Sequence, residues 1–419
     1  MTGARREATM ANPMRRGWIS GMRVRAASAA LAFAVMLGLG MGATQSTQAQ
    51  TFNVLYSFTG SSDGGEPYAG LVRDAAGNLY GTAISGGAFG WGVAFKVDPS
   101  GTETVLHSLG DGTTDGRTPY AGLIRDKAGN LYGTTYEGGG IGCVDGCGTV
   151  FKVDTQGTET VLHSFAGGTT DGCFPYAGLL LDKAGNLYGT TQSCGASNNG
   201  IVFKVSKGGK VTVLHNFAGG ANDGANPLYG SLLRDTKGAL YGVAQYGGTS
   251  NDGVVYKLSK TGALRVLHSF AGGTTDGCNP YGTPAMDTLG NLYGTSVACG
   301  PSNMGVVWKV TKSGAEKVLH NFAGGTKDGA QPIAGLILDA KGNLYGDTQY
   351  GGGTGCFGSG CGTVYKVSAT GKLVLLHIFE GSEGALPFGV VLRDTKGNLY
   401  GTAFLGGIPD WGTVWELSK

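Results

Sequence analysis

Between residues 160 and 165 the chain alternates: Val161, His163 and Phe165 face one side of an extended strand, Leu162 and Ser164 the other. A period of two marks a half-buried strand. Three more short runs precede it. Residues 120–125 are apolar and end in the turn Asp126-Lys-Ala-Gly. Residues 131–135 follow, then a glycine-rich loop, and residues 149–153 lead into a second turn at Asp154. β-rich runs parted by Gly, Asp and Asn predict antiparallel hairpins. No run keeps the 3.6-residue period of a helix.

The same four-strand unit recurs seven times. Its clearest marker is Gly-Asn-Leu-Tyr-Gly, with tyrosines at Tyr80, Tyr132, Tyr188, Tyr241, Tyr293, Tyr345 and Tyr400, in steps of 52 to 56 residues. One copy has Ala239 in place of Asn. A second marker, Gly-Thr-Val-aromatic-Lys-Val, carries Phe95, Phe151, Phe203, Tyr256, Trp308, Tyr365 and Trp415. Four strands in about fifty residues make one propeller blade. The expected fold is therefore an all-β, seven-bladed β-propeller. Residues 52–58 form a lone fourth strand, and residues 415–419 a third strand with no fourth behind it. Pairing of the N-terminal strand with the last blade would close the ring and remove two open edges.

Composition agrees with a β architecture. Glycine supplies 81 of 419 residues, too many for a helical protein, and the 12 prolines with no strict period exclude collagen. With 18 Tyr, 16 Phe and 5 Trp there is material for a core, which argues against disorder. Six arginines and one glutamate lie in the first 50 residues, so the remainder has a net charge of −3. That balance predicts neither a nucleic-acid partner nor a membrane contact for the mature form.

Arg23 and Arg25 precede an apolar run over residues 26–42 and a short polar stretch. This order predicts a secretory signal over residues 1–49, cleaved after Ala49, with Met22 as the true start. Residues 50–419 then form a single domain, secreted or periplasmic and expected to be monomeric.

All eight cysteines lie in the exported part, where disulfides persist. Cys173 and Cys194 occupy the same repeat positions as Cys278 and Cys299, one before the first strand and one after the second. Antiparallel neighbours bring those ends together. Cys143 with Cys147, and Cys356 with Cys361, share a loop. Four intra-blade bridges are expected; two thiols per loop fall short of a zinc site.

The candidates for chemistry follow the repeat. His107, His163, His215, His268, His320 and His377 occupy one position, with Tyr56 at the seventh. Set on separate blades, they are too far apart to share a metal, and a bond within each blade is the expected role. No catalytic set stands out from the repeat. The Asp-Gly loops carry Asp63, Asp115, Asp171, Asp223, Asp276 and Asp328, with Glu383 in the seventh. These read as turns that bond their own backbone; the alternative is a carboxylate ring around the channel that holds calcium. No other metal or cofactor is expected. Asp74, Asp126, Asp182, Asp235, Asp287, Asp339 and Asp394 open the hairpin turns. Four residues before the third-strand aromatic, the copies read Trp91, Cys147, Asn199, Asp252, Met304, Cys361 and Trp411. The two tryptophans fall on blades 1 and 7, ring neighbours. They are candidates for stacking on sugar rings, or else cover the closure seam.

The run Asp-Gly-x-x-Pro-Tyr-Ala-Gly-Leu-x-x-Asp-x-x-Gly-Asn-Leu-Tyr-Gly-Thr-Thr, followed by Gly-Thr-Val-Phe-Lys-Val, is best seen over residues 115–153. It resembles the GloVer (Gloeo/Verruco) tandem-repeat family of exported bacterial proteins. The resemblance implies a secreted or surface-exposed repeat protein without a defined biochemical role. Members often end in a surface-anchoring segment. This chain stops at Lys419 directly after a strand, so release or periplasmic residence is expected. The expected function is a non-enzymatic binding or scaffold module for a carbohydrate, cell-envelope polymer or protein on the loop face. The alternative is a propeller enzyme of lyase or lactonase type acting on a small ligand at the central channel. For that, Arg117, Lys327 and Glu383 are the ionisable breaks in the repeat.

Overall fold

The marker motif explains how each blade is built. In blade 2 the Asp126 carboxylate accepts the Asn130 backbone N–H, the Asn130 side-chain amide and the Tyr132 hydroxyl, at 2.9, 2.7 and 3.1 Å. One side chain thus pins the hairpin turn to the second strand. Leu131 points inward and is buried. Gly133 lies opposite Phe151 on the third strand, and a Cβ there would stand 2.6 Å from the Phe151 ring. The glycine is required because the aromatic of the next strand fills its space. With Ala239 only the side-chain amide bond is lost: its N–H donates to Asp235 at 2.8 Å and the Tyr241 hydroxyl does so at 3.1 Å.

The computed structural model describes residues 50–419 except residue 357. The signal sequence and the Met22 start read from the sequence lie outside the described residues. Seven four-stranded antiparallel sheets form the blades of a closed ring. Blade 1 comprises Val72–Arg73, Leu79–Ala83, Val93–Val97 and Glu103–Ser108, from the axis outward. Thr51–Ser57 pairs antiparallel with Thr413–Ser418, Thr51 facing Ser418, and so supplies the outermost strand of blade 7. The ring closes as the chain ends predicted.

Blades are joined by aromatic contacts. The seven third-strand aromatics are all fully buried. Six meet the phenylalanine that ends the preceding blade, from Phe58 against Phe95 at 5.0 Å between ring centres to Phe379 against Trp415 at 5.9 Å. Leu109 takes the phenylalanine's place before blade 2.

The innermost strand is shorter than expected. In blade 2 only Gly116–Arg117 and Ile124–Arg125 pair, and residues 118–123 between them leave the ladder. Pro119 has no N–H to donate, and seven such segments converge on the axis. Blade 5 is the exception, where Gly277–Met286 is one strand with an internal irregularity.

The four bridges are Cys143–Cys147, Cys173–Cys194, Cys278–Cys299 and Cys356–Cys361, and they fit an oxidising environment. Their loops differ in length. Opening Cys173–Cys194, which spans 21 residues, should cost about 3 kcal/mol, and opening Cys143–Cys147, which spans 4, about 2 kcal/mol, on loop entropy alone. Denaturation of the two double-serine variants measures the order; a larger loss from the short loop would contradict it.

Candidate functional site

The histidine and aspartate series are partners. His163 on the outermost strand of blade 2 bonds Asp171 in the following loop at 3.1 Å, and Asp171 also accepts the N–H groups of Ala166 and Gly172. The same latch recurs at His107–Asp115, His215–Asp223, His268–Asp276 and His320–Asp328. Tyr56 donates to Asp63 at 2.8 Å, and His377 lies 3.5 Å from Glu383. Burial pushes the carboxyls of Asp115, Asp171 and Asp276 up, but the histidine and backbone hydrogen bonds outweigh it and hold them below the usual range. These carboxylates face the outer strands and are absent from the channel lining.

The loops between second and third strands share a face with the Asp-Gly loops, because Trp91 O accepts from Thr118 N–H and Cys147 O from Phe174 N–H. On that face Trp91 is 42% exposed, with the Arg117 guanidinium 4.8 Å from its ring centre. Trp411 is 37% exposed. Each rests on a glycine of the following connection: a Cβ at Gly110 or Gly60 would press into the indole. Ile408, Phe89, Ile141 and Val144 are exposed on the same loops of blades 7, 1 and 2.

At the axis stands a group of rings that sequence reading missed. The residue after the repeat's proline is Tyr68, Tyr120, Tyr176, Tyr281, Ile333 and Phe388 in six blades. Blade 4 has one extra residue, so Leu228 follows the proline and Tyr229 is displaced by one position. Tyr229 reaches across the ring: Tyr68 of blade 1 donates to its hydroxyl at 3.3 Å, and it donates to Tyr176 at 3.5 Å. Tyr68 stacks on Phe388 at 4.4 Å and Tyr120 on Tyr176 at 4.3 Å. Burial drives the Tyr68 and Tyr176 hydroxyls far above their ordinary pKa, so they stay neutral. Next to this plug is a cavity of about 280 Å³, lined by all seven inner segments, including Leu71, Leu123, Leu179 and Ile337. Its lining carries no charged side chain.

Two positions per blade meet at the channel mouth. The residue before the proline and the residue after the second strand are joined by a backbone hydrogen bond, as in Tyr136 N–H to Thr118 O and Gln349 N–H to Gln331 O. Tyr136 packs on Phe174 and Tyr120, and Phe404 on Phe388. Gln192, Gln245, Gln349, Asn226 and Gln331 add amides. The residue before the proline is left-handed in every blade, with φ from 51° to 59°, a conformation that costs energy and concentrates at functional sites. The signal in the sequence was variability: both positions change from copy to copy while their neighbours repeat.

A streptogramin B lyase structure is similar in fold, at TM-score 0.59 and 12% identity over 88% of this chain and 97% of that one. A putative 6-phosphogluconolactonase from Bacteroides uniformis aligns at TM-score 0.47 and 15% identity over 73% and 83%. A gluconolactonase from Xanthomonas campestris aligns at 0.39 and 17% over 64% and 78%. No curated protein matches the sequence. The family model described as the Gloeobacter/Verrucomicrobia repeat matches residues 39–234 and 228–419. The chain belongs to the Gloeobacter/Verrucomicrobia repeat family.

Proposed function

We propose that this chain is an exported binding module that takes carbohydrate on its loop face, across the channel mouth and the tryptophan-bearing loops. The observation that carries this reading is the mouth itself: Tyr136, Phe174 and Phe404 beside Gln192, Gln245, Gln349 and Gln331, above a neutral tyrosine floor. Flat rings offer faces to the C–H side of a sugar, and amides match its hydroxyls with both donors and acceptors. Trp91, Trp411 and the exposed apolar residues beside them extend the surface outward to a length suited to a polymer. The four disulfides fit an oxidising compartment, in keeping with export. A channel enzyme has the fold and the Glu66 carboxylate at the mouth in its favour, but the cavity lining offers no ionisable group other than tyrosine.

Binding to soluble envelope polysaccharides, followed by calorimetry or thermal shift, tests the reading. Tyr136→Ala and Trp91→Ala should each weaken binding about tenfold, or about 1.4 kcal/mol, with the unfolding midpoint nearly unchanged. The sugar reading fails if no polysaccharide binds. It also fails if Trp91→Ala and Trp411→Ala unfold the protein, for the indoles are then structural cover.

A further inference from the structure

The latch at each blade interface needs only two side chains, but at two interfaces a third joins. Glu159 begins the outermost strand of blade 2 and approaches His107 and Asp115; Glu316 begins that of blade 5 and approaches His268 and Asp276. In each set one imidazole nitrogen and one oxygen from each of two carboxylates lie within 4.8 Å of one another. We propose that these two crevices are binding sites for a zinc-class divalent cation, which bridges blade 1 to blade 2 and blade 4 to blade 5.

The comparison among blades supports this. At the same strand position four of the other five interfaces carry Val211, Leu264, Leu373 and Phe52. An apolar side chain is therefore enough to seal the crevice. Glu159 and Glu316 instead bury an Oε1 that has no hydrogen-bond partner among the described residues. An unpaired buried oxygen is costly, and the cost repeats at both sites. The donor set selects the ion. One imidazole and two carboxylates are ligand types zinc accepts, and three protein ligands leave one tetrahedral position for water, as in open zinc sites. Calcium asks for six to eight oxygens. The aspartates are already oriented: Asp115 by N–H groups of Gly110, Asp111 and Gly116, and Asp276 by those of Ala271 and Gly277. The aspartates are thus held before an ion arrives, and the glutamates would close onto it.

The interface between blades 7 and 1 is a natural control. Glu103 lies beside Asp63 there and also buries an unpaired Oε1, but Tyr56 stands where the imidazole would be. A neutral phenol is a poor zinc ligand, so this crevice should take none.

The test is metal counting on the full chain, stripped with chelator, re-equilibrated with zinc and washed. Two zinc ions per chain are expected, with a raised unfolding midpoint. Glu159→Gln should retain one, Glu159→Gln with Glu316→Gln none, and Glu103→Gln both. Should the glutamine variants fold poorly, Glu159→Leu with Glu316→Leu copies what blade 4 carries at this position and should fold without binding. Wild-type chain that retains no zinc, or zinc content indifferent to the paired substitutions, overturns the proposal.

Discussion

Asp347→Thr should stabilise the protein by about 1–3 kcal/mol at pH 4, the cost of a buried polar group left unpaired, and by more at neutral pH. Asp347 sits in the second strand of blade 6 and is 1% exposed, and neither carboxyl oxygen has a partner among the described residues. In four other blades this position is a threonine whose hydroxyl donates to a carbonyl of the next blade, as Thr82 does to Ala121 and Thr402 to Ala69. Asp347 makes no such bond among the described residues. Burial raises the Asp347 pKa well above its ordinary value, so the folded protein keeps it neutral. The sign follows. Below the unfolded-state pKa the group is neutral in both states. As pH rises past it, the unfolded chain ionises and the folded one does not, so stability falls by about 1.4 kcal/mol per pH unit until the folded pKa is reached. Denaturant unfolding of both proteins from pH 4 to 8 should therefore show a gap that widens with pH. Other titrating groups, Glu103, Glu159 and Glu316 among them, are common to both proteins and cancel. Parallel curves would mean that Asp347 is not held neutral by burial.

Removal of residues 51–58 should abolish the monomeric cooperative fold. The segment contributes the outer strand of blade 7, and Phe58 within it is fully buried against Phe95. Phe52 stacks on His377 at 3.8 Å. Loss of one buried phenylalanine costs about 3–5 kcal/mol, against a total of about 5–15 kcal/mol for a typical domain. The deletion also bares the edge of Thr413–Ser418, which invites association. Restoring the strand from the other end should rescue the fold. Because Thr51 faces Ser418, residues 50–60 placed after Lys419 through a short turn would form an ordinary hairpin. Size-exclusion chromatography and thermal melts read both outcomes. A deletion variant that stays monomeric and melts as before would show that strand pairing does not hold the ring.

The ring and its closure were legible because both are one-dimensional: a spacing recurs, and a strand is missing at one end where it is spare at the other. The four disulfides followed from the same frame. Contacts across blades were less accessible. The histidines and aspartates were read as separate series, although the latch spans only eight residues in five of its seven copies. The intervening loop crosses to the next blade, and only the radial geometry shows that the side chains meet. The single extra residue of blade 4 was visible as one longer step, but a shift of one position tells nothing about the axis until seven chains converge there. The short inner strands escaped notice because their apolar residues pack around the channel instead of completing a ladder. Asp347 is a plain departure from Gly-Thr-Thr, and its cost appears only when the next blade's carbonyl is in place.

With Tyr229 reaching over to Tyr68 and Tyr176, the ring is a lidded disc and not a tube. A polymer chain cannot be threaded through it, and what docks above the lid is separated by packed aromatic rings from the cavity beside it. The two broad faces are thus available at once to unlike molecules. A plate of this kind keeps whatever meets one face at a fixed separation from whatever meets the other, with no passage between them.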